Sequence, residues 1–344
     1  MTAKGKILVA MSGGVDSSVA AALLQQEGYE VTGVTLKLWG GPSDTGCCSV
    51  SDVTDARRVA DHLGIEHHVF NFGDEFESHV VEPYVRSHAS GLTPNPCIEC
   101  NRHLKFDKLI RRANALGFDL IATGHHARIV QCESGIRIGR GADLSKDQSY
   151  VLYMLNQQQL QQLKLPLGEM EKSEVRELAA SLDLRVAQKP DSQDVCFISN
   201  VKGSRRRFLE ERIDLTPARV LDKENRTVGE VDSIEMVTIG QRKGLGLSGQ
   251  GTPKYALDVD VECATVRVGQ RSDLFCMATK VKDLCWVDKP YLGNVDVQAS
   301  AHGRTSPARV TSTVDWVDPH VKVAPGQSLV FYDGDLVVGS AIAI

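Results

Sequence analysis

The 344-residue sequence contains no apolar run that approaches a membrane span. Lys4 and Lys6 are followed by an apolar run too short for a signal or transit peptide, so a cytoplasmic location with no membrane partner is the expectation. Positive charge is not in surplus either. The 39 Lys and Arg against 44 Asp and Glu leave a net charge of −5, which argues against a protein that coats nucleic acid without selectivity. Two local basic stretches remain. Between Arg102 and Arg112 five Lys/Arg face Asp107 alone, and Lys202, Arg205, Arg206, Arg207 and Arg212 face only Glu210 and Glu211. A solvated helix face has the same composition, so neither stretch assigns a partner by itself. A disulfide framework is also missing: nine cysteines, an odd number, without a secretory signal, read as thiols, metal ligands or catalytic groups.

The stretch Ile7-Leu8-Val9-Ala10-Met11-Ser12-Gly13-Gly14-Val15-Asp16-Ser17-Ser18 is defined partly by what it lacks. No Lys follows the glycines, so it is not a GxxxxGK[ST] loop, and its spacing is not GxGxxG. An apolar run that fits a buried strand enters Ser-Gly-Gly and leaves as a segment with Val15, Val19, Ala22 and Leu23 at helical spacing, closed by Gly28. Free N–H groups and the positive dipole end at such a helix start favour an anion, and adjacent glycines admit phosphate oxygens to the main chain. The stretch resembles the SGGxDS loop of the PP-loop ATP pyrophosphatases. That resemblance implies ATP split at the α-phosphate, with AMP transferred to an oxygen of the substrate.

Strands are expected over Val31–Leu38, His68–Phe72 and Leu120–Thr123, with a helix through Val53, Ala56, Ala60 and Leu63 ended by Gly64. Strands alternating with helices predict an α/β, doubly wound parallel sheet whose site lies along the carboxyl edge of the strands. Between the third and fourth strands, Thr93-Pro94-Asn95-Pro96-Cys97-Ile98-Glu99-Cys100-Asn101-Arg102 reads as an extended loop holding two cysteines just before a helix. A thiolate at a helix start beside Arg102 would have a lowered pKa, as a nucleophile or metal ligand requires. Cys196 stands in Asp191-Ser192-Gln193-Asp194-Val195-Cys196-Phe197-Ile198, where an apolar flank alone would place it in a core. Beyond Ser199 a helix is expected over Gly203–Arg212, and then short β-rich runs at Ala218–Leu221 and Val237–Ile239 around Gly240-Gln241-Arg242-Lys243-Gly244-Leu245-Gly246-Leu247. From about Arg271 the pattern is β, with strands at Thr279–Val287, Val295–Ala301, Ala308–Trp316 and Ser328–Tyr332, which suggests a small barrel.

Six motifs in one order, SGGVDSS, NPCIECNRHLKF, ATGH, KDQSY, DSQDVCFI and GQRKGLGL, make the chain similar to the bacterial tRNA-specific 2-thiouridylases over nearly its full length. The resemblance implies a PP-loop catalytic domain of the adenine nucleotide alpha hydrolase type over residues 1–202. A small central tRNA-docking domain over 203–270 and a C-terminal β-barrel over 271–344 would follow. It implies 2-thiolation of the wobble uridine, position 34, in tRNAs for Lys, Glu and Gln, with ATP and Mg²⁺ as cofactors and a persulfide donor protein as a further partner. Ala10, Met11, Ser12, Gly13, Gly14, Val15, Asp16, Ser17, Leu36 and Gly124 would contact ATP, Asp16 near the phosphates. Cys100 takes the nucleophile position and Cys196 the position of the persulfide carrier. Asn95, Pro96 and Cys97 would lie against the target base, and His125, Lys146, Asp147 and Gln148 would touch the tRNA, as would His302, Gly303 and Gln327 on the barrel. Arg205–Arg207 and Arg242-Lys243 become candidates for phosphate contacts.

The chain departs from the family at two places. Cys97 stands where many members have Asp, and His302-Gly303-Arg304 stands where members often show an Arg-Tyr pair, with Arg304 as the substitute. Cys97 leaves two sulfur routes open: a persulfide relay between Cys196 and Cys100, or an iron–sulfur cluster on Cys97, Cys100 and Cys196 that binds sulfide. Readings outside this family are a PP-loop ligase, which has no use for Cys100 and Cys196, and a thiol–disulfide oxidoreductase or zinc module built on Cys97 and Cys100. The oxidoreductase leaves the SGGVDS loop unexplained, and zinc needs a fourth ligand such as His103 or His125. Cys47-Cys48 receive no role, and Cys132, Cys263, Cys276 and Cys285 are taken as packing residues.

Overall fold

A computed structural model describes residues 4–39, 49–191, 195–199, 201–247 and 252–344. The Cys47-Cys48 pair and Ser192-Gln193-Asp194 lie outside the described residues. The chain divides into two compact units. The first comprises Met1–Val81, Pro96–Asn200 and Asp335–Val337, and the second Glu82–Asn95, Val201–Gly334 and Val338–Ile344. Among the described residues no helix is long and apolar enough to cross a membrane.

The first unit is built on a parallel sheet of β1 (Lys6–Ala10), β2 (Glu30–Lys37), β3 (Glu66–Asn71), β4 (Leu120–Thr123) and the two-residue β7 (Leu163–Lys164), in the order β3-β2-β1-β4-β7. The antiparallel hairpin β5 (Ala127–Cys132) and β6 (Gly135–Arg140) follows β4 in sequence. β1 is central because Ile7, Leu8 and Val9 are apolar on both faces and fully buried, as a strand covered by helices on both sides requires. Each such side chain contributes about 1.5–3 kcal/mol of burial. α1 (Val15–Gln26) packs Val15, Val19, Ala20 and Leu24 into this core, and α2 (Val50–Leu63) adds Ala56, Val59 and Ala60. α2 begins with a capping box between Ser49 and Asp52 and ends at Gly64 in the left-handed region, φ 67°. The helix Lys172–Ser181, labelled α3, adds Val175 and Ala179 to the same core. The doubly wound sheet matches expectation. β7 was not foreseen, because two residues carry no periodicity.

One local expectation is corrected. Pro96 does not extend a loop that ends before a helix. It starts a short helix, Pro96–Glu99, and the chain continues as a π-helix over Cys100–Lys108 and an α-helix over Leu109–Ala115. Proline suits a first helical turn because its missing N–H has no partner there in any case. Both cysteines therefore sit within helical turns, Cys97 in the first and Cys100 at the start of the π-helical segment.

In the second unit, β8 (Ala218–Leu221), β9 (Thr227–Val231), β10 (Tyr255–Asp260) and β11 (Thr265–Gly269) form a sheet in the order β10-β11-β8-β9. Val237–Ile239 is not a strand. It leaves a 3₁₀ turn, Ile234–Met236, and only Val237 is buried, because the Gln241 side chain accepts the Thr238 N–H and holds the segment as a loop. The helix expected over Gly203–Arg212 spans Ser204–Glu210. Arg205 faces inward, its guanidinium 3.2 Å from Nδ1 of the buried His88, and Arg206 pairs with Glu210 at 2.6 Å.

The remaining strands are β12 (Phe275–Trp286), β13 (Asn294–Gln298), β14 (Ser306–Val310), β15 (Thr313–Val321), β16 (Ser328–Asp333) and β17 (Leu336–Ala343). They run β12-β15-β14-β13-β16-β17, and β12 pairs again with β17 to close a six-stranded barrel. Val295, Val297, Trp316, Leu329 and Phe331 fill it, with the Trp316 indole N–H donating to Thr279 Oγ1 at 3.0 Å. The run Ala308–Trp316, expected as one strand, is two. It folds back after Val310, with the Thr311 N–H on the Thr313 carbonyl, and the alternation that continues across so short a turn hides the break in the sequence.

Candidate active site

The junction of β1 and α1 lies at the carboxyl edge of the parallel sheet, beside the ends of β2 and β4. Gly14 is the N-cap of α1 and supplies no side chain, so no side chain caps the first amides of the helix. Gly13 has φ +72°, and a Cβ there would overlap the Asp52 carbonyl. Gly124, just past β4, packs so closely that a Cβ would stand 2.6 Å from the Ser17 nitrogen and 2.7 Å from the Asp16 carbonyl carbon. Inside the loop the Ser12 N–H donates to Ser17 Oγ at 3.1 Å and Ser18 Oγ donates to the Gly14 carbonyl at 2.8 Å. Met11 and Leu36 are buried beneath it. The structure thus gathers Ala10–Ser17, Leu36 and Gly124 at one edge of the sheet.

Asp16 is the electrostatic centre. Lys172 Nζ approaches its two oxygens at 2.6 and 2.7 Å, and the His126 Nε2–H donates to Oδ1 at 3.1 Å. Lys172 also meets Asp191 Oδ1 at 2.9 Å, and Asp191 accepts Lys146 and Arg176 at 2.8 Å each. Burial is the largest influence on the Asp16 carboxyl and raises its pKa, but hydrogen bonds from His126 and Lys172 and the charge of Lys172 together hold it below the usual carboxylate range. At Asp191 burial is again the largest influence and again outweighed, here by Lys146 and Lys172, so its pKa lies well below the ordinary value. Lys189 Nζ donates to the Gly13 carbonyl at 3.0 Å and to Asp52 and Asp55 at 2.7 Å each, fixing the stretch before Asp191 to the loop.

Both cysteine-bearing segments are anchored at the same edge. Phe197, next to Cys196, packs against Trp39 beyond β2 and against Phe76, with ring centroids 6.1 and 5.5 Å apart. Phe106, in the helix that begins at Cys100, lies 5.8 Å from the His125 ring beyond β4. Asn101 donates to the Val151 carbonyl at 2.9 Å, while its Oδ1 is buried without a hydrogen-bond partner among the described residues. Cys100 is buried, and Cys97 and Cys196 are half-buried. Among the described residues no group of three or more His, Cys, Asp or Glu is placed to hold a metal ion.

The residues expected to touch RNA are placed less uniformly. His125 is buried, with Nδ1 2.7 Å from Thr123 Oγ1. Asp147 accepts the Gly141 and Ser149 N–H groups, the Ser149 hydroxyl and Arg140, which binds its carboxylate within its own loop. Lys146 is engaged by Asp191, and Gln148 Oε1 accepts the His126 N–H at 2.9 Å. Asn95 and Pro96 fall on either side of the division between the two units. In the second unit Gln327 Nε2 donates to the Thr93 carbonyl at 2.5 Å, and His302, Gly303 and Arg304 occupy the turn between β13 and β14. Lys172, His126, Asp191 and Lys189 were missed as site residues. Lys172 is a cation in the first turn of a helix, where the dipole favours anions, and the sequence carried no expectation of that helix.

Stability should fall in two acid windows. Burial, and secondarily the Arg205 charge, lower the His88 pKa to about 3, and burial lowers His125 well below its ordinary value. Both rings are neutral when folded, so their contribution is complete above the unfolded pKa of about 6.5 and is lost as pH falls toward the folded values. Asp16 and Asp191 follow the carboxylate case: their contribution is complete above an unfolded pKa of about 3.9 and is lost as pH falls through their lowered values. Denaturant unfolding from pH 8 to pH 2 should show both declines, with Asp191→Asn weakening the second only.

A glycine-bearing strand–helix junction with open amides, at the carboxyl edge of a parallel sheet and flanked by a carboxylate held by cations, defines a PP-loop enzyme that uses ATP. Family models agree in order along the chain: a tRNA methyl transferase HUP domain over residues 5–200, a tRNA methyl transferase PRC-barrel domain over 206–270, and an aminomethyltransferase beta-barrel domain over 278–343. The tRNA-specific 2-thiouridylase MnmA of Carboxydothermus hydrogenoformans is 44% identical over 353 residues, covering 97% of this chain and 96% of its own. That of Chloroflexus aurantiacus is 45% identical over 349 residues, with the same coverage. The chain belongs to the tRNA-specific 2-thiouridylase family and is a tRNA-uridine 2-sulfurtransferase. Among solved structures it has a loose likeness to the U34-tRNA thiolase NcsA from Methanococcus maripaludis with its [4Fe-4S] cluster, at 19% identity and a TM-score of 0.38 over 61% of this chain and 65% of that one.

Proposed function

We propose that the enzyme thiolates the wobble uridine of tRNAs for Lys, Glu and Gln through a persulfide relay. The C2 oxygen of uracil is a poor leaving group. It attacks the α-phosphorus of ATP, which enters as its Mg²⁺ salt, and pyrophosphate departs with the electron pair of the broken P–O bond. The terminal sulfur of a Cys196 persulfide then attacks C2, and AMP leaves carrying the former C2 oxygen. The Cys100 thiolate attacks the Cys196 sulfur of the resulting disulfide, releasing 2-thiouridine and leaving a Cys100–Cys196 disulfide. Two cysteine sulfurs are oxidised and the transferred sulfur is reduced, so a thiol reductant restores the enzyme. A persulfide donor protein then reloads Cys196.

The observation that carries this reading is that two cysteines, Cys100 and Cys196, lie on segments anchored at the sheet edge that holds the nucleotide loop. Residues 203–270 and 271–344 are proposed to hold the tRNA. Incubation with unmodified tRNA, Mg-ATP and a persulfide donor should yield 2-thiouridine, AMP and pyrophosphate in equal amounts. Thiolation without AMP would overturn the adenylation step. tRNA affinity should fall steeply with salt as phosphate contacts release counterions.

A further inference from the structure

The nucleotide loop has no cation of its own. Ser12–Ser18 offers amides, hydroxyls and the Asp16 carboxylate, whose charge by itself repels a triphosphate. A cation is nonetheless present from elsewhere in the chain. Lys172 is 8% exposed and places its ammonium 2.6 and 2.7 Å from the Asp16 oxygens. It does so from the first turn of the ten-residue helix α3, where a cation opposes the dipole, and Asp143 accepts its backbone N–H at 3.1 Å. Beside it the His126 ring is buried, bonded to Asp16 through Nε2, with Nδ1 lacking a hydrogen-bond partner among the described residues. A buried ammonium shared between two carboxylates and a buried ring with an unused acceptor leave the polar groups around Asp16 arranged for more than mutual satisfaction.

We propose that Lys172 is a phosphate ligand in this reaction, supplying from α3 the cation that a GxxxxGK[ST] loop carries within its own sequence. It meets the β- and γ-phosphates while remaining near Asp16, and stabilises the pyrophosphate that leaves when the bond from the α-phosphorus to its bridging oxygen breaks. It contributes charge and donates no proton. Asp191 keeps Lys146 and Arg176 at 2.8 Å, so turning Lys172 toward the nucleotide does not strand that carboxylate. The assignment rests on Ser12–Ser18 being the phosphate site.

The test is calorimetric binding of Mg-ATP, ADP and AMP to wild type, Lys172→Met and Lys172→Arg. Wild type should bind ATP more tightly than AMP. Lys172→Met should lose about tenfold or more of that difference while AMP affinity stays within about twofold, and Lys172→Arg should recover part of it. tRNA-dependent pyrophosphate release should fall in parallel. If Lys172→Met does not fold, the double variant Lys172→Met/Asp191→Asn, which removes the charge imbalance, is measured instead. A folded variant with the wild-type ATP-to-AMP ratio overturns the assignment of Lys172 alone. Absence of any ATP-to-AMP difference in wild type overturns both this assignment and the loop as phosphate site.

Discussion

Cys196→Ser is expected to leave tRNA-dependent pyrophosphate release measurable while 2-thiouridine formation falls by about 10³-fold or more, the scale on which loss of a nucleophile acts. The serine hydroxyl keeps the size of the side chain but cannot carry a sulfane sulfur. The fold should tolerate the change, because Phe197 rather than Cys196 forms the aromatic contact with Trp39 and Phe76. Cys100→Ser separates the two thiols further. With Cys196 preloaded, attack on C2 can proceed but release cannot, so a tRNA–protein adduct should accumulate and dissolve on adding dithiothreitol. Nucleoside chromatography follows the first variant and a denaturing gel the second. A Cys196→Ser enzyme that thiolates at the wild-type rate from a protein persulfide donor would sink the relay.

The second large effect is expected from a single methyl group. At Gly124→Ala the new Cβ would stand 2.6 Å from the Ser17 nitrogen and 2.7 Å from the Asp16 carbonyl carbon, and both are backbone atoms of the first turn of α1. The turn must move away from β4, at a stability cost of about 1–3 kcal/mol. The larger effect is on chemistry, since a displacement of about 1 Å at a reacting centre can lower the rate about 10²-fold. Pyrophosphate release at saturating tRNA should show that fall. Gly73→Ala is the control: its Cβ would come no nearer than 3.3 Å, to the Asn71 side chain, and activity should be unchanged. Equal losses in the two variants would remove Gly124 from the site.

The contrast between Gly124 and Lys172 shows what the sequence can carry. β1, α1 and the loop between them were legible because strand, turn and helix each leave a local pattern, and β2 to β4 were legible from β-branched runs bounded by breaks. The junction of β14 and β15 was not, because alternation runs through the turn at Thr311-Ser312. The helical setting of Cys97 was hidden by Pro96, which reads as a loop residue until its place in the first turn is known. Lys172 meets Asp16 across 156 residues, and Asp191 meets Lys146 across 45. Such pairings leave no spacing to read. Lys172 sits against the dipole in the first turn of α3, but the sequence carried no expectation of that helix.

β12 takes part in both seams of the barrel, its first half against β15 and its second half against β17. The six strands therefore form a hoop rather than a ribbon. Among the described residues the strand that joins the hoop from outside is β6, which pairs with β17 at Gly139 and Leu336 and occupies the edge left there. Phe275, Met277 and Val317 are exposed on β12 and β15, which pair with each other within the ring, so that seam is withheld from an outside strand.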